Sequence, residues 1–167
     1  MDNNPSSSSR PSIADIPRSV LISGIGAIVL FISVFLNWYS ATVSASGSLA
    51  GFGGVSESIS GWKATDVAKL VALLALIALV AWVIELFVPD VKLPVAAWMI
   101  AGGAGVLAVL LVLYRIISKP GGAHSFSFTL PNASVHVDIG TSFGIWLALI
   151  AGIAVVAGAY LRMNEPA

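Results

Sequence analysis

Four long apolar runs, residues 20–36, 67–88, 95–117 and 141–161, constrain this chain more than anything else in it. About 18 or more such residues suffice to cross the ~30 Å hydrocarbon core of a bilayer as an α-helix. Lipid offers no partner for backbone amides, so an isolated span is restricted to the helix, whose hydrogen bonds are internal. The fold class expected is therefore a membrane all-α bundle of four transmembrane helices. The first run is the shortest, near the lower limit for spanning. Charge agrees with this reading: only 10% of residues are charged and the mean hydropathy is +0.96, whereas soluble domains carry roughly 25% charged residues.

The segments between the runs set the organisation. Residues 1–18 are Ser/Pro-rich with little to bury, and read as a disordered N-terminal tail. Residues 19–167 read as one four-helix domain. A cleavable signal peptide is the competing reading of the start, since Val43 and Ala45 suit a cleavage site. The apolar run exceeds the usual 7–15 residues, which favours an uncleaved first helix. Basic residues favour the cytoplasmic side. Arg10 and Arg18 precede the first span, and no basic residue follows it until Lys63. Both termini are thus expected in the cytoplasm, with the short connection 89–94 beside them. Loops 37–66 and 118–140 would lie outside, and Trp38, Trp62 and Trp146 fit an outer aromatic belt.

Those two loops carry a second periodicity. In HSFSFTLPNASVHVDI (124–139), apolar and polar residues alternate on both sides of a Pro-Asn turn, which is a half-buried hairpin. Pairing Leu130 with Val135 puts Phe128 opposite Val137 and Phe126 opposite Ile139. Residues 39–49 and 55–62 alternate in the same way around AGFGG. Two strands alone are marginal in water, so the loops are expected to combine into an extracellular antiparallel sheet of about four strands. Its apolar face would cover the helix ends. Ser127, Thr129, His136 and Asp138 would remain on the free face as a partner surface.

Four spans, a β-rich first loop framed by tryptophans and a shorter second loop resemble the claudin-like tetraspan layout. Of that family's first-loop motif, Trp38 and Ser60-Gly61-Trp62 are present; its leucine and two cysteines are missing. The string FLNWYS…SGW…TD, the P…P loop and LYR…P are more similar to small four-span membrane proteins of actinobacteria. That resemblance implies a fold only; the expected location is a bacterial inner membrane.

Chemistry is sparse. Zero net charge without a basic patch gives no nucleic-acid surface. The absence of cysteine excludes disulfides and thiolate chemistry within this sequence. No ionisable residue lies deep in a span, where it would mark a relay or transport path. His124 and His136 both fall in the hairpin, away from any intramembrane haem position, so no cofactor or metal is expected. Gly140, Gly144, Ala148 and Gly152 recur every four residues, as do Ser19, Ser23, Ala27 and Ala97, Ala101, Gly105. Such rows let helices approach closely, inside one bundle or between copies. Asp66 and Arg115, both at the outer boundary, are expected to form an ion pair, or Asp66 to cap its helix. These features point to a non-enzymatic accessory protein in the lipid bilayer that binds a membrane-protein partner or its own copies. An oligomeric channel or small-molecule transporter is the alternative.

Overall fold

The structure is a computed structural model in which residues 16–87, 95–119 and 125–165 are described. The N-terminal tail up to residue 15, the connection 89–94 and His124 lie outside the described residues. In chain order the elements are α1 (Arg18–Ser33), β1 (Asn37–Gly47), a 3₁₀ turn (Ala50–Phe52), β2 (Val55–Ser60) and α2 (Gly61–Ala64). Then come α3 (Asp66–Phe87), α4 (Ala97–Ile117), β3 (Phe126–Leu130), β4 (Ala133–Thr141) and α5 (Phe143–Asn164).

Helices α3, α4 and α5 are each long and apolar enough to cross a membrane. At 1.5 Å per residue they extend for about 32–33 Å, and they make the chain a multi-pass membrane protein. The fourth, α1, has 16 residues, about 24 Å, and stops short of the expected span end at residue 36. The reason is local. Ser33 Oγ donates to the Leu30 carbonyl at 2.6 Å, a side-chain bond that competes with regular helix geometry. The next amides, of Phe35 and Leu36, close tighter turns onto Ile32 and Ser33, and strand begins at Asn37.

The bundle is built with small residues inside and large ones outside. On α3, Ala68, Ala72, Ala75, Ala78 and Ala81 are buried, whereas Leu70, Leu73, Leu76, Ile77 and Val80 are exposed. Water would favour the reverse. Where lipid is the solvent, burying leucine gains little, and alanine or glycine lets helix backbones meet. Three of the four stripe residues obey this rule: Gly144, Ala148 and Gly152 are all buried on α5. A Cβ on Gly144 would come within 2.6 Å of the Asn37 carbonyl, and one on Gly152 within 2.8 Å of Val109. Gly140 departs from the expectation, because α5 starts at Phe143 and Gly140 belongs to β4.

Helix and sheet are continuous at two places. α1 runs into β1 within three residues, and β4 runs into α5 across Ser142 alone. β1 and β4 pair antiparallel from Tyr39↔Thr141 to Gly47↔Ala133, so they form the middle of a sheet ordered β2-β1-β4-β3. Eight residue steps carry that pair about 27 Å from root to tip. The expected four-stranded antiparallel sheet is present. Its hairpin register differs by two residues: Leu130 pairs with Ala133, Phe128 with Val135 and Phe126 with Val137. The turn is the two residues Pro131 and Asn132. Because side chains alternate with period two, the slip leaves every residue on its expected face.

Candidate interaction surface

The root of the sheet is fixed by two consecutive aromatic residues, Trp38 and Tyr39, both buried. A regular strand would send neighbours to opposite faces. Here a β-bulge between Asn37 and Tyr39 re-aims them. Trp38 Nε1 donates to the Ser33 carbonyl at 2.9 Å, and Gly61 leaves room for its ring; a Cβ there would sit 2.6 Å from it. The first amides of α2 complete the joint: Gly61 N donates to the Leu36 carbonyl and Trp62 N to that of Val34. Orphan donors at one helix start thus satisfy acceptors just beyond another helix's end.

Tyr39 points toward α4. Its hydroxyl donates to the Arg115 carbonyl at 3.1 Å. Burial pushes its pKa above the ordinary tyrosine value, with the Arg115 charge partly offsetting the rise. Lys119 follows one turn later and donates from Nζ to the Ile139 carbonyl at 2.6 Å. That carbonyl lies on the part of β4 beyond the last β3 pairing at Val137.

Above this root the sheet has two distinct faces. Reading rows across the strands, Val55, Val43, Val137 and Phe126 form one apolar row, and Ala45, Val135 and Phe128 form the next. On the reverse, Ser56, Thr42 and Asp138 form a polar row, followed by Ser44, His136 and Ser127 and then by Ser46, Ser134 and Thr129. The four residues expected on the partner face, Ser127, Thr129, His136 and Asp138, are together there and exposed. His136 Nε2 stands 3.1 Å from Asp138 Oδ2. Among the described residues no group of three His, Cys, Asp or Glu is close enough to hold a metal.

The apolar face does not cover the helix ends as expected. Phe126 and Phe128 are each 59% exposed, and Leu130 is also open. Topology is the cause: β1 and β4 occupy the centre because they continue α1 and α5, and β3 pairs only with the distal half of β4. The hairpin's phenylalanines are thereby held at the tip, far from the bundle.

Among the described residues Asp66 and Arg115 do not pair. Asp66 Oδ1 binds Lys69 Nζ at 2.7 Å, one turn along α3. The cap on α3 comes from Thr65, whose Oγ1 accepts the Val67 amide at 3.2 Å. Among the described residues the buried Nε of Arg115 has no hydrogen-bond partner.

The opposite end of the bundle holds a polar network that the sequence reading missed. Arg162 Nε binds Glu85 Oε1 at 2.8 Å, and its Nη1 binds Glu165 Oε2 at 3.0 Å. Buried Ser19 donates to the same Glu165 oxygen at 2.8 Å. This ties α1, α3 and the end of α5 together. The signal was available: Glu85 and Arg162 are single opposite charges at the same-side ends of two spans.

No protein-family model matches the chain, and no curated protein or solved structure does. The claudin-like resemblance therefore has no support beyond layout. What stands is a multi-pass helical bundle bearing a four-stranded sheet.

Proposed function

We propose that this chain is a non-enzymatic structural or accessory subunit of a bacterial inner-membrane complex, with both termini in the cytoplasm. Its sheet stands outside the bilayer and engages a membrane-protein partner or a second copy. One observation carries this reading: the bundle bears a sheet whose apolar tip, Phe126, Phe128 and Leu130, is exposed. Contiguous exposed apolar surface on a folded domain marks an interaction site. Among the described residues β3 is an edge strand, which adds an unpaired backbone row to the same tip.

A photo-crosslinking amino acid at Phe128 or at Ser127 tests it in native membranes. Adducts should form from Phe128 and be weak from Ser127, one residue away on the reverse face. Absence of adducts from both positions, together with ion flux from the purified protein in liposomes, would replace this reading with the channel. Orientation is checked separately. Since the chain has no cysteine, single cysteines at Ser48 and Ser127 should react with an impermeant thiol reagent in intact cells. One at Asp90 should react only after lysis.

A further inference from the structure

We propose that the seam between α1 and α3 binds one zwitterionic phospholipid whose headgroup carries a primary ammonium, in the leaflet on the sheet's side. An acyl chain lies in an apolar groove there, and the headgroup meets Lys69 and Asp66. The site is separate from the tip and stands independently of any partner docking there. The groove, of about 300 Å³, has Phe31, Phe35 and Trp62 on one side and Lys69, Leu73 and Leu76 of α3 on the other. That volume falls at the lower end of small-molecule sites.

The groove runs with the bilayer. Its α1 wall is one aromatic series: Phe35 stacks on Trp62 with ring centroids 5.4 Å apart, and Phe31 meets Phe35 edge-on, also at 5.4 Å. Trp62, in α2, marks the interfacial level where amphipathic rings collect. The opposite wall descends along α3 from Lys69 to Leu76, about 10.5 Å at 1.5 Å per residue. That is about two thirds of one leaflet of the ~30 Å hydrocarbon core. Phe35, Leu73 and Leu76 are exposed along it, so a chain of the surrounding lipid enters from the side without leaving apolar surface.

The mouth of the groove selects the headgroup. Lys69 Nζ donates to Asp66 Oδ1 at 2.7 Å, which uses one of three donors on the lysine and leaves acceptor sites on the carboxylate. Lys69 is half exposed and Asp66 almost fully so. Asp66 begins α3 and lies about 4.5 Å nearer the water than Lys69. In a zwitterionic headgroup the phosphate adjoins the glycerol and the ammonium hangs beyond it. Cation inside and anion outside thus face phosphate inside and ammonium outside. A phosphoglycerol headgroup would satisfy Lys69 alone, and a trimethylated ammonium offers Asp66 no N–H.

Delipidated protein in neutral detergent provides the test, with native mass spectrometry and thermal unfolding as readouts. Phosphatidylethanolamine should give a single retained adduct and raise Tm. Phosphatidylcholine and phosphatidylglycerol with the same chains should bind about two- to fivefold more weakly, the range of an exposed ion pair. Phosphoethanolamine, the headgroup without chains, should give neither adduct nor shift. Asp66→Asn should remove the preference for phosphatidylethanolamine, with the Thr65 cap on α3 left in place. Leu73→Trp, which fills the groove and keeps both charges, should lose the adduct with the lipid-free Tm unchanged. Equal retention of the three lipids would overturn the proposal, as would a preference that survives Asp66→Asn or a full shift from phosphoethanolamine. So would a dimer that forms without lipid and is abolished by Leu73→Trp. Crosslinks from Phe128 report on the tip and are unaffected by any of these outcomes.

Discussion

The bundle and the sheet both expose large apolar side chains, but their surroundings differ. Around α3, exposed Leu70, Leu73 and Leu76 have apolar neighbours on the outer surface, and alanines line the inside. In the sheet, exposed Phe128 is followed by exposed Thr129 on the reverse face. A helix that is apolar all round can be immersed in hydrocarbon. A single sheet with hydroxyls on one side meets water within its own thickness. Exposure on the helices is thus explained by lipid. On the sheet, lipid does not account for it, and this difference is why the proposed interaction surface is placed there.

The link between the regions gives the largest expected effect. Trp38→Ala removes a fully buried indole that joins α1, α2 and β1, and should cost about 3–5 kcal/mol of stability in detergent. A loss below 1 kcal/mol, on the order of a surface change, would mean that the sheet is held elsewhere. Next comes a direct test of which solvent each region sees. Leu76→Asp, near the middle of α3, should impair insertion by about 2.5–3.5 kcal/mol, whereas Phe128→Asp should insert and fold as the parent does. Equal insertion defects would erase the distinction between the two surfaces.

A smaller effect tests the inside of the bundle. A Cβ on Gly158 would lie 2.6 Å from the Ser23 amide nitrogen, whereas one on Gly103 meets nothing within 4 Å. Gly158→Leu should therefore lower stability by about 1–3 kcal/mol through overpacking. Gly103→Leu should leave thermal unfolding nearly unchanged. If Gly103→Leu proves the worse of the two, the open face of α4 around Gly103 packs between copies.

The elements were legible where a single segment carries the signal. Hydropathy located the membrane helices to within a few residues, and alternation located all four strands. What failed depends on neighbours remote in sequence. The hairpin slip arose because a two-residue and a four-residue turn satisfy the same alternation. Asp66 met Lys69, close along its own helix, rather than the distant Arg115. Trp38 and Tyr39 could not be read as jointly buried, since the bulge that permits it exists only when β1 pairs with β2. Ser19, expected only in a close-packing row of the first helix, also joins the Glu165 network, whose partners lie far along the chain.

That network gives the mildest test, of whether sheet and bundle respond separately. Glu165 follows α5, and its carboxyl is held below the ordinary glutamate value of about 4.5, first by the Ser19 hydroxyl and then by Arg162. A folded-state pKa below the unfolded one contributes stability above the unfolded value, and that contribution is lost as pH falls through the folded value. The group is solvent-accessible, so the effect is small and local. Acidification below pH ~4 should loosen the first turn of α1 and the last of α5, read as faster amide exchange. Amides paired between β1 and β4 should keep their protection. Glu165→Gln should show the same loosening at neutral pH and lose most of its acid dependence. Loss of sheet protection in parallel would mean that the two regions unfold as one unit, and that the charged end helps position the sheet.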